Sequence, residues 1–403
     1  MPNLMDYLEW RGDLSFDESP LNEVDNLVFS LLSYVDLEHI VPEGQQGGIT
    51  LRQAAAEYFF THPEPSERPL GLIIPADILI LFRRMGHARR FRDLILTGYV
   101  NRISEVWETQ FSALTVRLPN EEIFVAFRGT DDTIVGWKED FRLSVLDHVP
   151  AQTMAAQYLN LLDLTPDTVL HVGGHSKGGN LAVWGAVHAE ERVRDRIKTV
   201  FSNDGPGFSE GTVTSEAYRK LSARIRNYIP EDSLVGLLLE HDETYTVVRS
   251  NRRGLFQHDG LSWEVMGGRF LRAEALSSKG IHHDTVVRDR IDSMSREERR
   301  EFIRLMFTLL ESTGAKTLTE LHNGKTKAAL AVIKTFRELS AREQENASYL
   351  WDKLVGRGEE GAQGIQTATK GRPRCNPPRR KHGSGQKRKK GRVKVSFFPL
   401  LLP

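Results

Sequence analysis

The stretch GGHSKGGN, residues 173–180, decides how the middle of this chain is interpreted, because it sets one serine among four glycines. Three interpretations compete: a tight packing turn, a phosphate-binding loop, or a nucleophile held on a strained bend. A phosphate-binding loop needs its lysine after the last glycine, in the order G-x-x-x-x-G-K-[ST]. Lys177 instead follows Ser176 and precedes Gly178, so the phosphate-binding interpretation fails.

The nucleophile interpretation fits the surrounding sequence. Residues 174–178 form the pattern G-x-S-x-G, which holds a serine on a sharp turn between a strand and a helix. TVLHVGG (168–174) is typical of a short buried strand, and NLAVWGAVHAEERV (180–193) is typical of a helix. We expect glycine to be required at 174 and 178, because side chains there would clash across the bend. The helix N-terminus favours developing negative charge, and the Lys177 amide is a predicted oxyanion donor.

The segments on either side alternate between strand and helix patterns, which predicts an α/β fold with a mostly parallel sheet and helices on both faces. Upstream, residues 97–128 alternate apolar with polar side chains and predict strands, with a hairpin turn at Pro119-Asn120. Downstream, strands are predicted at 198–204, 244–250 and 262–268, and helices at 151–164 and 215–225.

Both ends of the chain are predicted to be helical. Helices are expected at 21–35 behind Asn22, at 51–60 behind Thr50, and at 295–313, where Ser295 and Glu298 form a capping box. We therefore expect a helical region packed on the core, a core, a C-terminal helical segment and a disordered basic tail. Their predicted bounds are 1–96, 97–282, 283–356 and 357–403.

The composition is that of a globular protein, with 39% hydrophobic and 27% charged residues among 403. No apolar run approaches the roughly 20 residues of a membrane span, and the N-terminus does not resemble a secretory signal. A single cysteine, Cys375, excludes an internal disulfide framework and a cysteine-rich metal site. These features predict a cytoplasmic protein, and no metal or cofactor is implied.

The formal net charge of zero conceals an asymmetry. Residues 361–403 contain 12 Lys plus Arg and no acid, so the first 360 residues have a net charge of −12. The tail is interpreted either as a contact for RNA or an anionic membrane surface, or as an extension without a partner. The second alternative is favoured because no aromatic residues interleave with the basic clusters. No nucleic-acid contact is expected for the core, and the sequence leaves the oligomeric state open.

A serine nucleophile needs a base and an orienting acid, which follow it in the order acid, then histidine, in this kind of fold. Asp204 in FSNDGPG and Asp232 in NYIPEDSLVG both follow predicted strands, and the residues alone do not separate them. His258 lies in a loop between two late strands, which suits a presented base. Other downstream histidines include His241, His282, His283 and His322. His171 and His175 are expected to be packed or supporting residues.

Several separated stretches resemble one family. In chain order they are YLEWRGDLSF (7–16), AFRGTD (126–131), GHSKGGN (174–180), SNDGPGF (202–208) and QHDGLSWEV (257–265). Together they resemble a bacterial lipase-like α/β-hydrolase family of unknown function that is related to the class 3 lipases. The resemblance extends over residues 1 to about 345.

The resemblance implies Ser176 as nucleophile, Asp232 as acid and His258 as base, with Thr130 and the Lys177 amide in the oxyanion hole. Asp204 is the alternative acid. Lys177 occupies a position usually held by Leu or Met in secreted lipases, so its side chain either favours an anionic substrate or points to solvent. The expected function is hydrolysis of a small or lipid-derived carboxylic ester through an acyl-enzyme. A catalytically inactive binding module and an acyltransferase are the alternatives.

Overall fold

The computed structural model describes residues 1–63, 70, 74–241, 244–277 and 293–355. These residues form two compact units. The first extends from the N-terminus to residue 277 and includes residues 316–320, and the second contains the other described residues from 293 onward. The predicted disordered tail and the histidines at 282 and 283 lie outside the described residues.

An eight-stranded sheet in simple sequential order, β1 to β8, is the framework of the first unit. Strands β1 to β4 pair antiparallel, and β4 to β8 pair parallel. The strands are β1 (Ile49–Thr50), β2 (Ile95–Ser104), β3 (Thr109–Arg117), β4 (Glu122–Phe127), β5 (Val169–His175), β6 (Ile197–Asn203), β7 (Ile225–Pro230) and β8 (Tyr245–Val248). A separate two-stranded hairpin is formed by β9 (Val265–Met266) and β10 (Arg269–Phe270).

Helices of the first unit lie before the sheet and between its strands. They are α1 (Leu4–Arg11), α2 (Glu23–Leu32), α3 (Leu51–Thr61), α4 (Asp77–His87), α5 (Ile134–Arg142), α6 (Pro150–Asn160), α7 (Lys177–His188), α8 (Glu191–Arg194), α9 (Glu210–Val213) and α10 (Glu216–Ser222). Short 3₁₀-helices span Gly254–His258 and Gly260–Ser262.

The two faces of the sheet are covered by different parts of the chain. Right-handed crossovers between parallel strands in sequential order place all their helices on one face. That face packs Val125 and Phe127 of β4 in one core with residues of α6, α7 and α10. The alternate side chains Phe124 and Ala126 point to the opposite face, where they join a second core with α1 to α4. The predicted fold, an α/β-hydrolase fold with helices on both faces, is therefore confirmed.

The predicted helix starts are confirmed by their caps. The side chains of Asn22, Thr50 and Ser295 each accept a backbone N–H three residues on and form capping boxes. The predicted helix at 180–193 instead begins at residue 177 and breaks after residue 188. Of the strand predicted at 262–268, Val265–Met266 alone form a strand, β9, because residue 262 ends a 3₁₀-helix and residues 267–268 turn the chain into β10.

The second unit is helical. Its helices include α11 (Arg296–Glu311), α13 (Lys325–Glu338) and α14 (Ala341–Val355), and α12 (Leu318–Asn323) begins in the first unit. Their apolar faces share a small core. None of the helices in the described ranges is long and apolar enough to span a bilayer.

Candidate active site

The turn around Ser176 has the strained geometry that the sequence predicts. β5 ends at His175, α7 begins at Lys177, and Ser176 between them has φ 57° and ψ −134°. Such angles cost about 1–3 kcal/mol for a residue other than glycine and persist only when the surroundings enforce them. A Cβ atom on Gly174 would lie 2.2 Å from the Gly178 backbone. A Cβ atom on Gly178 would lie 2.2 Å from the Phe127 carbonyl oxygen, so the expected need for both glycines is confirmed.

Backbone contacts join the Ser176 turn to the end of the neighbouring strand β6. The Ser176 N–H donates to the Asn203 carbonyl at 2.9 Å. The Asn203 side chain is fully buried and exchanges two hydrogen bonds with the Asn26 amide of α2, at 2.9 and 3.1 Å. The N-terminal helices therefore help to fix the strand ends on which the candidate site is built.

Asp204, the residue after Asn203, holds His258. Its Oδ2 atom lies 2.6 Å from His258 Nδ1. Its Oδ1 atom accepts hydrogen bonds from Ser233 Oγ at 2.5 Å and from the Gly236 N–H at 3.1 Å. The Asp204 side chain is 1% exposed and the His258 side chain is 22% exposed. A buried carboxylate thus holds a partly accessible imidazole through its Nδ1 atom.

The expectation that Asp232 is the acid beside His258 requires correction. Asp232 Oδ2 accepts from the Gly254 N–H at 2.8 Å and from Gln257 Nε2 at 3.2 Å, and Oδ1 accepts from Ser277 Oγ. Asp232 therefore anchors the 3₁₀-helix that ends at His258. Strand order is the signal that separates the two acids, because β6 pairs directly with β5 and β7 lies one strand further away. The alternative, Asp204, occupies the position expected of the acid.

His175 supports the same histidine from the other side. Its Nε2 atom lies 2.7 Å from the His258 carbonyl oxygen, so Nε2 must donate, and Nδ1 accepts from the Tyr34 hydroxyl at 3.2 Å. Burial, and secondarily the nearby His258, lowers the pKa of His175 to about 3. His175 is consequently neutral at ordinary pH and acts as a packed, supporting residue, as expected. His171 is also buried, against Phe201.

The predicted oxyanion residues lie beside this turn. The Lys177 N–H belongs to the first residue of α7, where the backbone N–H has no acceptor within the helix. Thr130 is buried on the loop after β4, and its hydroxyl donates to Asp140 Oδ2 in α5. Burial is the main cause that raises the pKa of Asp140, to about 6.

The Lys177 side chain neither points to solvent nor is available to an anionic substrate, the two alternatives expected from the sequence. It is 1% exposed, and its ammonium donates to Glu139 Oε2 at 3.0 Å and to the Gln110 carbonyl at 3.1 Å. It therefore points into the protein rather than to solvent, and its charge is matched by an internal carboxylate rather than held ready for an anionic substrate.

The remaining candidates lie elsewhere. His241 contacts the Asn227 amide at 3.2 Å, and His322 lies in α12. Within the ranges that the structure describes, no group of three or more His, Cys, Asp or Glu side chains is arranged to hold a metal ion.

Comparison with known proteins assigns the chain to a family. The Mbeg1-like family model matches residues 85–308, and the chain belongs to that family. Solved structures with similar folds include M37 lipase, at 15% identity over 54% of this chain and 70% of that one, with a TM-score of 0.33. The Rhizomucor miehei lipase propeptide complex matches at 14% identity over 62% of this chain and 81% of that one, with a TM-score of 0.29. A comparison with curated protein sequences finds no significant match.

Proposed function

We propose that this protein is a serine hydrolase that cleaves carboxylic esters through Ser176, His258 and Asp204. The observation that carries the proposal is the 2.6 Å contact between His258 and buried Asp204, next to a serine with φ 57° on a strand-to-helix turn. A surface serine in an ordinary glycine-rich turn requires neither the strained angle nor an adjacent Asp–His pair. The proposal thus replaces Asp232 by Asp204 in the expected triad.

The arrangement supports the following acyl-transfer steps. Asp204 accepts the Nδ1–H of His258, so that Nε2 can take the hydroxyl proton as Ser176 Oγ attacks the ester carbonyl. The negative charge that develops on the carbonyl oxygen is held by the backbone N–H groups of Lys177 and Thr130. His258 then gives its proton to the departing alkoxide, which leaves as an alcohol.

Water completes the reaction by the same route. His258 removes a proton from water as its oxygen attacks the acyl-enzyme, and returns that proton to Ser176 Oγ when the acid is released. The substrate class follows only as far as a small or lipid-derived carboxylic ester. Transfer of the acyl group to an acceptor other than water uses the same first half of the reaction.

The proposal is tested with p-nitrophenyl esters of acetate, butyrate, octanoate and palmitate. We expect the wild-type protein to release p-nitrophenol with saturation kinetics, and Ser176→Ala to reduce kcat by about 10⁴ or more. The circular dichroism spectrum and melting temperature of Ser176→Ala should match the wild type, since alanine removes only the hydroxyl.

Adding a primary alcohol or amine at constant ester concentration separates hydrolysis from acyl transfer, because a transferase produces the new ester or amide. Equal rates for wild type and Ser176→Ala with every ester would contradict the proposal and favour a binding module with this fold.

A further inference from the structure

The side chain of Lys177 is a charge buried beside the proposed nucleophile. It is among the largest fully buried side chains of the described residues, at 1% exposure. An unpaired buried ammonium is costly, so a buried lysine persists when carboxylates and hydrogen bonds compensate it. An apolar Leu or Met at this position would fill a similar volume without that cost, which indicates that the charge itself has a role.

Glu139 is the direct partner of this lysine, and all its acceptor positions are occupied from surrounding elements. Its Oε2 accepts from Lys177 Nζ at 3.0 Å and from the Gln110 N–H at 3.0 Å. Its Oε1 accepts from Thr109 Oγ1 at 2.8 Å and from the Ala151 N–H at 3.0 Å. The ion pair therefore joins the residue after the serine to β3, α5 and α6.

Asp140, the neighbour of Glu139, depends on the same ammonium. Its Oδ2 accepts the Thr130 hydroxyl, whereas its buried Oδ1 receives no hydrogen bond from the described residues. The Lys177 ammonium lies 3.6 Å from that Oδ1 atom. Two adjacent carboxylates, the fully buried Glu139 and the 25% exposed Asp140, thus share one cation, and Glu139 is the one that accepts its hydrogen bond, at 3.0 Å.

We propose that Lys177 is a positioning residue of the site, which keeps Asp140 ionised. The ionised Asp140 carboxylate then always accepts the hydrogen bond of the Thr130 hydroxyl. This hydrogen bond keeps the loop after β4 in the geometry of the oxyanion hole. The inference rests on the proposed function. A protonated Asp140 has a hydroxyl of its own, and the Thr130 hydroxyl would no longer be held in one orientation. Lys177 would then act through Asp140 and Thr130, without its side chain touching substrate.

The charges around Asp140 fix the direction of the effect. Burial raises the pKa of Asp140 to about 6, and Lys177 opposes that rise most among the charged groups. Glu139 on the same helix raises it further. On the adjoining loop, Arg128 and Asp131 pair with each other at 3.2 Å. Removal of the Lys177 charge should therefore move the protonation of Asp140 to higher pH.

The test is the second-order rate of labelling by a fluorophosphonate probe from pH 5 to 9, for wild type, Lys177→Met, Glu139→Gln and the double variant. Met keeps the length and the backbone N–H of residue 177. We expect Lys177→Met to label about 10- to 100-fold more slowly than the wild type at pH 7. This decrease does not exceed the effect of losing a whole oxyanion donor, which lowers the rate by about 10²–10³. The acid limb of its profile should move to higher pH.

The double variant separates positioning from packing. It removes the buried ion pair as a unit, so its melting temperature should be higher than that of Lys177→Met. The acid limb of its pH profile should stay displaced, because Asp140 still has no cation beside it. A double variant that labels with the wild-type rate and profile would overturn the inference and leave the proposed function standing. A wild-type protein that does not label at any pH would overturn both.

Discussion

Replacement of Asp204 by asparagine should abolish catalysis through the tautomer of His258. The Oδ1 position of Asp204 accepts the Gly236 N–H, so the asparagine oxygen must remain there. The asparagine NH₂ group then faces His258 Nδ1, which is 2.6 Å from Oδ2 in the native protein. An imidazole that accepts at Nδ1 has its proton on Nε2, where it cannot take the proton of Ser176.

The expected magnitude is a fall of about 10⁴ in kcat, the size of the effect when a triad aspartate becomes asparagine and the imidazole tautomer is wrong. Asp232→Asn is the matched control. It also removes one carboxylate charge, but the asparagine oxygen can keep the Gly254 N–H bond, so we expect a loss of about tenfold or less from a looser His258 helix.

The assay is the rate of p-nitrophenyl butyrate hydrolysis by both variants from pH 6 to 9, with melting temperatures to show that each is folded. A folded Asp204→Asn protein with near wild-type kcat, beside an inactive Asp232→Asn, would contradict the role of Asp204 and restore Asp232 as the acid.

Substitutions at His175, Gly178 and Asp140 test other features of the site. His175→Phe removes the donor to the His258 carbonyl and should lower the rate of fluorophosphonate labelling about tenfold. The shape of the pH profile should not change, because a pKa of about 3 keeps His175 neutral throughout. A displaced acid limb would contradict this. Gly178→Ala should destabilise the protein by about 3 kcal/mol or more in urea titrations, because its Cβ atom would lie 2.2 Å from the backbone of β4. Gly211→Ala is the control and should be nearly neutral, because a Cβ atom there would lie in open space. Asp140→Asn should raise the free energy of unfolding by on the order of 2 kcal/mol at pH 8 and by little below pH 4. The reason is that the pKa of Asp140 in the folded protein is raised to about 6, so the native carboxylate destabilises the fold only at pH values where it is ionised. Equal effects at both pH values would show that ionisation is not the cause.

The sequence predicts the nucleophile turn because its requirements are local. Ser176 needs glycine on both sides, a strand before it and a helix after it, and one short segment of sequence contains the pattern for each of these. The helix caps at Asn22 and Thr50 are local in the same way. His258 is accessible to sequence reasoning through chain order and its place in a loop.

The identity of the acid depends on strand order, which pattern reasoning did not supply. Both Asp204 and Asp232 follow strands, and only the pairing of β6 directly with β5 brings Asp204 beside the turn. The path of Lys177 was also inaccessible, because its partner Glu139 lies 38 residues away on a different element. Long-range ion pairs of this kind leave no periodic signal in the sequence.

The YLEWRGDLSF stretch shows a family resemblance whose physical basis appears only in the structure. Tyr7 donates to buried Asp25 at 2.7 Å, and Asp25 pairs with buried Arg90. The Arg90 guanidinium lies 4.0 Å from the centre of the Phe16 ring and also donates to backbone carbonyls at residues 14, 15, 19 and 20. The stretch therefore ties α1 to α2 and to the chain around Arg90 through buried contacts.

The activation of Ser176 by Asp204 and His258 is tested by locating the fluorophosphonate adduct with peptide mass spectrometry after the wild-type protein has reacted. We expect one adduct, on Ser176, that is lost in His258→Ala and in Asp204→Asn and is retained in Asp232→Asn. An adduct on another residue, or no adduct on a folded protein, would contradict the claim that Asp204 and His258 activate Ser176.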